Sequence, residues 1–437
     1  MNHSGESTRA ASGPRRVDRH HVVVVGAGFG GLAAAKSLAG LPVDVTVIDS
    51  RNHHTFQPLL YQVATAGLDG DDICFPVRGV FAGQDNVRVR LGTVTDVDIE
   101  RAALRLGDGS TLHYDDLVLA AGAVTNPFGI PGVEEHAYGL KSLRDALALR
   151  SHVLMRFETA DTDPVHLTDG TLTVVVAGGG PTGVELAGGL IELSTMVLRH
   201  DYPGLDLRSA RVVLVEAGDR LLPGFHPNLS AKARDTLENR GVEVMLNTAV
   251  SSVDATTVRL GDGSEIAAHT MVWTAGVRAH PLAETLGVEL TKGARIVVGP
   301  DLSVPGYPRV HVVGDMAGAT DSSGALLPQV APVAMQSAEY VADKIRHRIH
   351  GESVQPFEYT DKGSMATIGR HDAVAQLPGG IRMSGVVGWF AWLLLHLVML
   401  IGFRNRANVL VNWAWNYVTY DRASRIIPDV HHPEESS

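Results

Sequence analysis

The chain has 437 residues, enough for two or three domains with sizeable cores. Its 48 acidic residues outnumber 37 basic ones, giving a net charge of −11 with no basic stripe, which excludes general nucleic-acid affinity. A single cysteine, Cys74, excludes an intrachain disulfide and any C-x-x-C metal or redox pair.

Residues 1–19 are polar, carry Arg9, Arg15, Arg16 and Arg19, and lack the apolar stretch of a secretory signal. A disordered tail is expected, on a protein kept in a reducing compartment. Val22–Val25 is a run of valines, suited to a strand buried on both faces of a parallel sheet. Gly26, Gly28 and Gly31 follow in G-x-G-x-x-G spacing, then a helix-forming stretch, then a second strand, Val43–Ile48, ending at Asp49. In such a turn the first glycine permits the bend and the second lets backbone amides approach a pyrophosphate. The third brings helix and strand together. The helix N-terminus favours the pyrophosphate charge, and Asp49 stands ready to accept from a ribose diol. Arg51 is a candidate for a nucleotide phosphate. The loop 51–62 lacks helix or strand periodicity and is expected to lie over the ligand, a packed surface loop being the plainer reading. Gly92-Thr93-Val94 begins a strand whose backbone suits an adenine edge.

The whole unit then recurs. Thr173–Ala177 is the strand, Gly178, Gly180 and Gly183 the turn, and Val212–Val215 the second strand, ending at Glu216. RLGDGS at 105–110 returns at 259–264 as an Asp-Gly hairpin signal in both places, and LVLAAG ending at Gly122 returns as MVWTAG ending at Gly276. Two dinucleotide sites in one chain imply that one cofactor passes something to the other. Glu216 favours NADH over NADPH, because a carboxylate repels a 2′-phosphate; nearby Arg220 weakens that inference.

Between the copies, Ser142–Thr159 carries a one-faced helical pattern, and Thr195–Arg208 reads as an insertion within the second unit. An apolar strand, Pro308–Val313, leads to Asp315, a candidate for the flavin ribityl or pyrophosphate region. Gln329–Ile345 follows as a helix whose dipole would stabilise an anionic reduced ring. Residues 385–403 are then uncharged throughout, which reaches the threshold length for a spanning helix. Val409–Tyr420 adds interfacial aromatics, and four of the five tryptophans lie in these two segments. An in-plane anchor is favoured, with a span or a buried soluble helix as alternatives. The histidine pairs at 20–21, 53–54 and 431–432 lack zinc-type spacing, so no metal site is expected.

These motifs resemble the type II (non-proton-pumping) NADH:quinone oxidoreductases, from His21 to about Tyr420. The resemblance is most specific at Phe56–Tyr61, Gly178–Glu185, Trp273–Val277, Val313–Asp315, the stretch with Ala331, Ala334 and Gln336, and Asp361–Gly369. It implies an α/β fold with two Rossmann-like dinucleotide-binding domains and a C-terminal membrane-anchoring region. On this chain they become an FAD-binding domain (20–141 and 286–360), an NADH-binding domain (142–285) and a membrane-associated region (361–437). Noncovalent FAD is expected over Gly26, Gly28, Gly31, Asp49, Arg51, Val94, Gly122 and Asp315. NADH is expected over Gly178, Gly180, Gly183, Glu216 and Gly276. The resemblance puts Glu185 near the nicotinamide, Lys362 near the flavin, and Ala331 and Gln336 beside the quinone. For Glu185 the plainer role is a charge that complements the helix dipole. The family's A-Q-x-A-x-Q pattern reads Ala331-Pro332-Val333-Ala334-Met335-Gln336 here, so proline removes one expected quinone donor.

The activity so implied is oxidation of NADH with reduction of a membrane quinone to quinol. The protein would attach peripherally to the cytoplasmic face of the inner membrane, as a monomer or homodimer. Its rivals are a soluble flavin reductase serving a protein acceptor and an NADH-sensing flavoprotein. A sulfide:quinone oxidoreductase would need more than one cysteine.

Overall fold

The computed structural model describes residues 19–419 and 424–427; the expected tail through residue 18, Tyr420 and the histidines at 431–432 lie outside the described residues. The valine run forms His20–Val25, fully buried at Val22, Val23 and Val24. It pairs in parallel with Val43–Asp49 on one side and Asp116–Leu119 on the other. Val87–Leu91 and the distant strand Tyr307–Val312 extend the array in parallel, and Ser303–Val304 closes it antiparallel as a six-stranded sheet. The second sheet has five parallel strands, with Thr173–Ala177 between Arg211–Val215 and Thr270–Trp273, and with Val242–Met245 and Ala137–Tyr138 at its edges.

The repeat extends to detail. In each half a three-stranded antiparallel meander is inserted between two strands of the sheet, Val94–His113 before Asp116–Leu119 and Val250–Ala267 before Thr270–Trp273. Each meander carries a register shift in the same place, at Val94/Asp96 and at Val250/Ser252. The Asp-Gly hairpins place Gly109 and Gly263 at φ +82° and +88°, the left-handed region that glycine enters without steric cost. The halves are joined by two crossing strands, Ala123–Thr125 and Val277–Ala279, paired antiparallel.

Local signals account for the helices. Ser142 caps Leu143–Thr162 with a capping box to Asp145, close to the expected bounds. The loop 51–62 departs from expectation: it contains a short strand, His53–Thr55, a 3₁₀ turn at Gln57–Leu59 and a helix, Leu60–Ala64. Its elements are too short to show periodicity, and Phe56, Leu59, Leu60 and Tyr61 are buried. The insertion at 195–208 is ordered as a π-helical turn (Leu193–Val197), one short helix and a 3₁₀ turn. The helix expected from Gln329 begins at Ala331 and runs to Ile349.

The C-terminal region opens with a three-stranded antiparallel sheet, Ser364–Thr367, Ala373–Gln376 and Arg382–Ser384. The uncharged run then splits. Gly385–Met399 is helical, Leu400 is extended, and Gly402 at φ +89° turns the chain into a second helix, Phe403–Thr419. A Cβ at Gly402 would lie 2.7 Å from the Phe75 ring, so the break is locked by packing. The first helix has 15 residues, about 22 Å at 1.5 Å per residue, against about 30 Å of hydrocarbon. Among the described residues no helix is long and apolar enough to cross a membrane, and the run expected at 385–403 is not one continuous helix. Trp392 faces the protein at 1 % exposure, while Val387, Phe390, Leu394 and Val398 stand open, as do Phe403, Val411 and Trp415 on the second helix.

Candidate functional site

The two glycine turns have the same division of labour. A Cβ on Gly31 would lie 1.8 Å from the Gly26 carbonyl oxygen, and one on Gly183 would lie 1.9 Å from that of Gly178. Those glycines serve packing of helix against strand. Gly26 and Gly178 take φ of +102° and +109°, and any side chain there would strike the closing segments at Ala120 and Ala275. Gly28 and Gly180 differ: a Cβ on either meets nothing within 4 Å. Both are helix N-caps without a side-chain hydrogen bond, so the first-turn amides are open towards that space. The donor set and the vacant approach suit the pyrophosphate of a dinucleotide in each half.

Each acid is tied into its own turn. Asp49 Oδ2 accepts from the Ala27 amide at 2.6 Å and Oδ1 from the Arg51 amide at 2.8 Å. Glu216 does the same with the Gly179 and Gly218 amides at 2.5 and 2.6 Å. A carboxylate oxygen holding one donor keeps acceptor capacity for a ribose hydroxyl. Arg51 lies beside Asp49 with its guanidinium half-exposed, 3.9 Å away. Arg220 donates to the Pro223 carbonyl at 3.3 Å rather than to Glu216.

Other expected residues fall around the first turn. Asp315 follows the distant strand, and its carboxyl makes no hydrogen bond among the described residues. Burial raises its pKa against the pull of Lys141 and Arg295. It is thus a desolvated acceptor without a donor, as a polyol site requires. Gly122 has φ +75° and open space where a Cβ would be, but a Cβ on Gly276 would lie 2.6 Å from the Phe128 ring, which gives that glycine a packing reason. Val94 is buried and paired with Leu106, and the neighbouring Thr93 carbonyl accepts from Gly107.

Glu185 lies on the helix after the second turn, Pro181–Glu192, at 8 % exposure. Burial pushes its pKa up to about 8, opposed by the Thr367 amide and the Trp392 indole. Thr367 N–H donates to Glu185 Oε1 at 3.3 Å. A buried, mostly protonated carboxyl is a poor complement to a helix dipole and a suitable proton store. Its partner Thr367 lines a cavity of about 100 Å³ together with Tyr61, Gln62, Glu192, Trp392 and Trp413, while Glu185 itself is not part of that lining. The aromatic wall continues as Trp392 stacked on His396, with Phe56 edge-on to the imidazole.

Three expected residues lie apart from this cavity wall. Gln336 spends both ends of its amide on the Thr360 backbone, at 2.9 and 3.0 Å. Ala331 starts the helix, and Pro332 sits in its first turn, where a missing N–H costs no helical bond. Lys362 is exposed, with no ion pair among the described residues.

Sequence reasoning missed how the terminal helix docks. Asn405 donates to the Asp71 and Cys74 carbonyls, Asn408 and Asn412 to the Asp72 carboxylate, and Asn416 to the Gly67 carbonyl. Their spacing of three and four residues is one helix face, a signal visible in the sequence beneath the conspicuous tryptophans.

The family described as pyridine nucleotide-disulphide oxidoreductase matches residues 20–338, and the NDH2 C-terminal domain matches residues 362–419. Two type II NADH:quinone oxidoreductases of Mycobacterium tuberculosis, Ndh and NdhA, are each 41% identical to the chain. The alignments cover 98% and 94% of it, and 93% and 89% of those relatives. The solved NDH2 of Plasmodium falciparum in complex with NADH superposes at a TM-score of 0.86 with 22% identity, covering 93% of this chain and 100% of that one. The sulfide:quinone oxidoreductase of Aquifex aeolicus shares the fold at a TM-score of 0.68 and 20% identity, over 89% of this chain and 92% of that one. With identity at this level across nearly its full length, and the C-terminal domain in place, the chain belongs to the type II NADH:quinone oxidoreductase family.

Proposed function

We propose that the protein oxidises NADH and reduces a membrane quinone through noncovalent FAD: NADH + quinone + H⁺ → NAD⁺ + quinol, without proton pumping. FAD would occupy the unit built from 20–141 and 286–360, NADH the unit from 142–285, and the quinone the cavity under the region from 361 onward. When bound, FAD accepts the two electrons of NADH and passes them to the quinone.

The chain's own residues have distinct tasks. The amides behind Gly28 and Gly180 hold the pyrophosphates, and Asp49 and Glu216 hold the ribose diols through their remaining lone pairs. Asp315 takes the ribityl hydroxyls. The quinol needs one proton beyond the hydrogen that NADH supplies, and Glu185 is our choice for its source. Lys362 and Gln336, exposed and backbone-bound respectively, are assigned to shaping the approach to the flavin and quinone. The exposed apolar face of the terminal helices attaches the protein in plane to the cytoplasmic face of the inner membrane.

The observation that carries this reading is Glu185: a buried carboxyl, mostly protonated at neutral pH, on the helix of the NADH turn and bonded to Thr367, which lines a cavity walled in part by the terminal helices. The test is an anaerobic titration of the yellow protein with NADH, followed by a soluble quinone. NADH should bleach the flavin, and quinone should restore the colour with one quinol formed per NADH. Bleaching without quinol formation would reduce the protein to a sensor. Acid precipitation should leave the colour in solution; colour in the pellet would contradict a noncovalent cofactor.

A further inference from the structure

A cleft of about 330 Å³ opens where the NADH-side helix Pro227–Asn239 begins and the C-terminal sheet turns towards the terminal helices. His226, Gln376, Gly380 and Arg382 line it, the lining contains no Asp or Glu, and it shares no residue with the cavity around Thr367. Gln376 and Arg382 stand directly opposite each other on adjacent antiparallel strands, so their side chains share one face of the sheet. His226 is the N-cap of its helix and accepts from the Asn228 amide through Nδ1 at 3.3 Å, which puts the ring hydrogen on Nε2. Gln376 Oε1 accepts from the His226 amide at 2.8 Å, which leaves the Gln376 Nε2 hydrogens to give. Arg382 is exposed, and its guanidinium has no ion pair among the described residues. Three lining side chains thus have only donors left to offer, the composition of an anion site.

We propose that this cleft binds the headgroup phosphate of an anionic phospholipid at the edge of the membrane-facing surface. This rests on the reading of the terminal helices as an in-plane anchor. Arg382 is set in apolar surface: Ile381 beside it is 57% exposed, and Val386 and Val387 at the start of the first terminal helix are 50% and 66% exposed. A guanidinium among open apolar side chains fits the layer where headgroup phosphates meet acyl chains, whereas a soluble anion has no use for that surround. From Ala373 to Thr419 the chain has no Asp or Glu and carries Arg382, Arg404 and Arg406. Arg406 donates to the Leu400 and Val398 carbonyls at 2.8 Å, so the open cations of this stretch are Arg382 and Arg404. The chain as a whole, at −11, is repelled by an anionic leaflet, and a local donor cleft offsets that repulsion on this face alone. The approach is clear as well, because a Cβ on Gly380, at φ +81°, would meet nothing within 4 Å.

Co-sedimentation of the holoenzyme with phosphatidylcholine vesicles, with and without phosphatidylglycerol, tests the site at low and high salt. Wild type should prefer the anionic vesicles, and part of that preference should survive about 1 M salt, where a Debye length of about 3 Å screens diffuse attraction but not a contact. Arg382→Gln, Gln376→Glu and Arg404→Gln each make the chain more negative by one charge, and Gln376→Glu keeps an acceptor for the His226 amide. The first two should cut the salt-resistant preference by about tenfold, the scale of one hydrogen bond to a charged group. Arg404→Gln, outside the cleft, should weaken binding at low salt only. An equal salt-resistant loss in Arg404→Gln, or none in Arg382→Gln, overturns the site. Arg382 is exposed, so its variant decides the matter if Gln376→Glu disturbs the sheet. Inorganic phosphate that abolishes the preference at matched ionic strength would make the cleft a soluble-anion site and overturn the lipid as its occupant. Vesicle binding indifferent to lipid charge overturns this inference alone, whereas no binding to any vesicle defeats the in-plane anchor together with it.

Discussion

Trp392 and His396, one helical turn apart, stack with ring centroids 3.9 Å apart and planes inclined at 22°. His396 Nδ1–H donates to the Trp392 carbonyl at 2.8 Å, a bond that favours the protonated ring, but the imidazole is closed in between aromatic neighbours and burial outweighs it. Burial lowers its pKa from the ordinary 6.5 to about 4. The folded state therefore binds fewer protons than the unfolded one between those values. The stabilisation is present above about pH 6.5 and is lost as pH falls towards 4, by at most about 3 kcal/mol. His396→Leu should show a smaller loss of Tm between neutral and acid pH than wild type. Buried His54, His152 and His311 titrate alike in both proteins, so equal slopes would deny His396 this role.

Glu216 should govern coenzyme choice and also brace its turn. Glu216→Ser removes the repulsion of a 2′-phosphate and narrows the NADH/NADPH gap in kcat/KM. It also leaves the Gly179 and Gly218 amides without an acceptor, so affinity for both coenzymes falls, on the scale of about 1–3 kcal/mol. An unchanged ratio would move selectivity elsewhere, with Arg220 next in line.

The glycines of the first turn should separate folding from cofactor binding. Gly31→Ala puts a methyl 1.8 Å from the Gly26 carbonyl oxygen and should prevent the native turn, giving insoluble or unfolded protein. Gly28→Ala meets no protein atom within 4 Å and has φ −74°, so the apoprotein should fold with near-wild-type Tm. Its flavin content after gel filtration should nevertheless fall, because the methyl occupies the ligand's approach. A flavin-replete Gly28→Ala protein would exclude this cradle as the pyrophosphate site.

Membrane attachment should depend on the open face of the terminal helices rather than on their presence. Leu394→Glu with Phe390→Glu charges that face and leaves Trp392, Leu400 and Val409 in the core. The variant should lose co-sedimentation with vesicles and reduction of long-tailed quinones, while soluble short-chain quinones are still reduced. Retained sedimentation would place the lipid contact elsewhere.

Much was legible in the sequence because it is local or repetitive. The Rossmann units announce themselves through glycine spacing, valine runs and an acid at a fixed remove, and those depend only on backbone sterics and the pleat. The duplication was readable for the same reason, down to the paired Asp-Gly hairpins. Other features belong to contacts between segments hundreds of residues apart. The apolar run at 385–403 promised a helix long enough to span, and the fold breaks it at Leu400–Gly402, where Gly402 packs on Phe75. Glu185 sits in a motif, yet its raised pKa comes from burial in the folded chain, with the Thr367 amide and the Trp392 indole opposing it, and no local pattern encodes that. The hydrogen bonds that link Trp413, Gln62, Tyr61 and Thr367 join three separate stretches of chain, and such contacts exist only when the tertiary fold has brought their partners together.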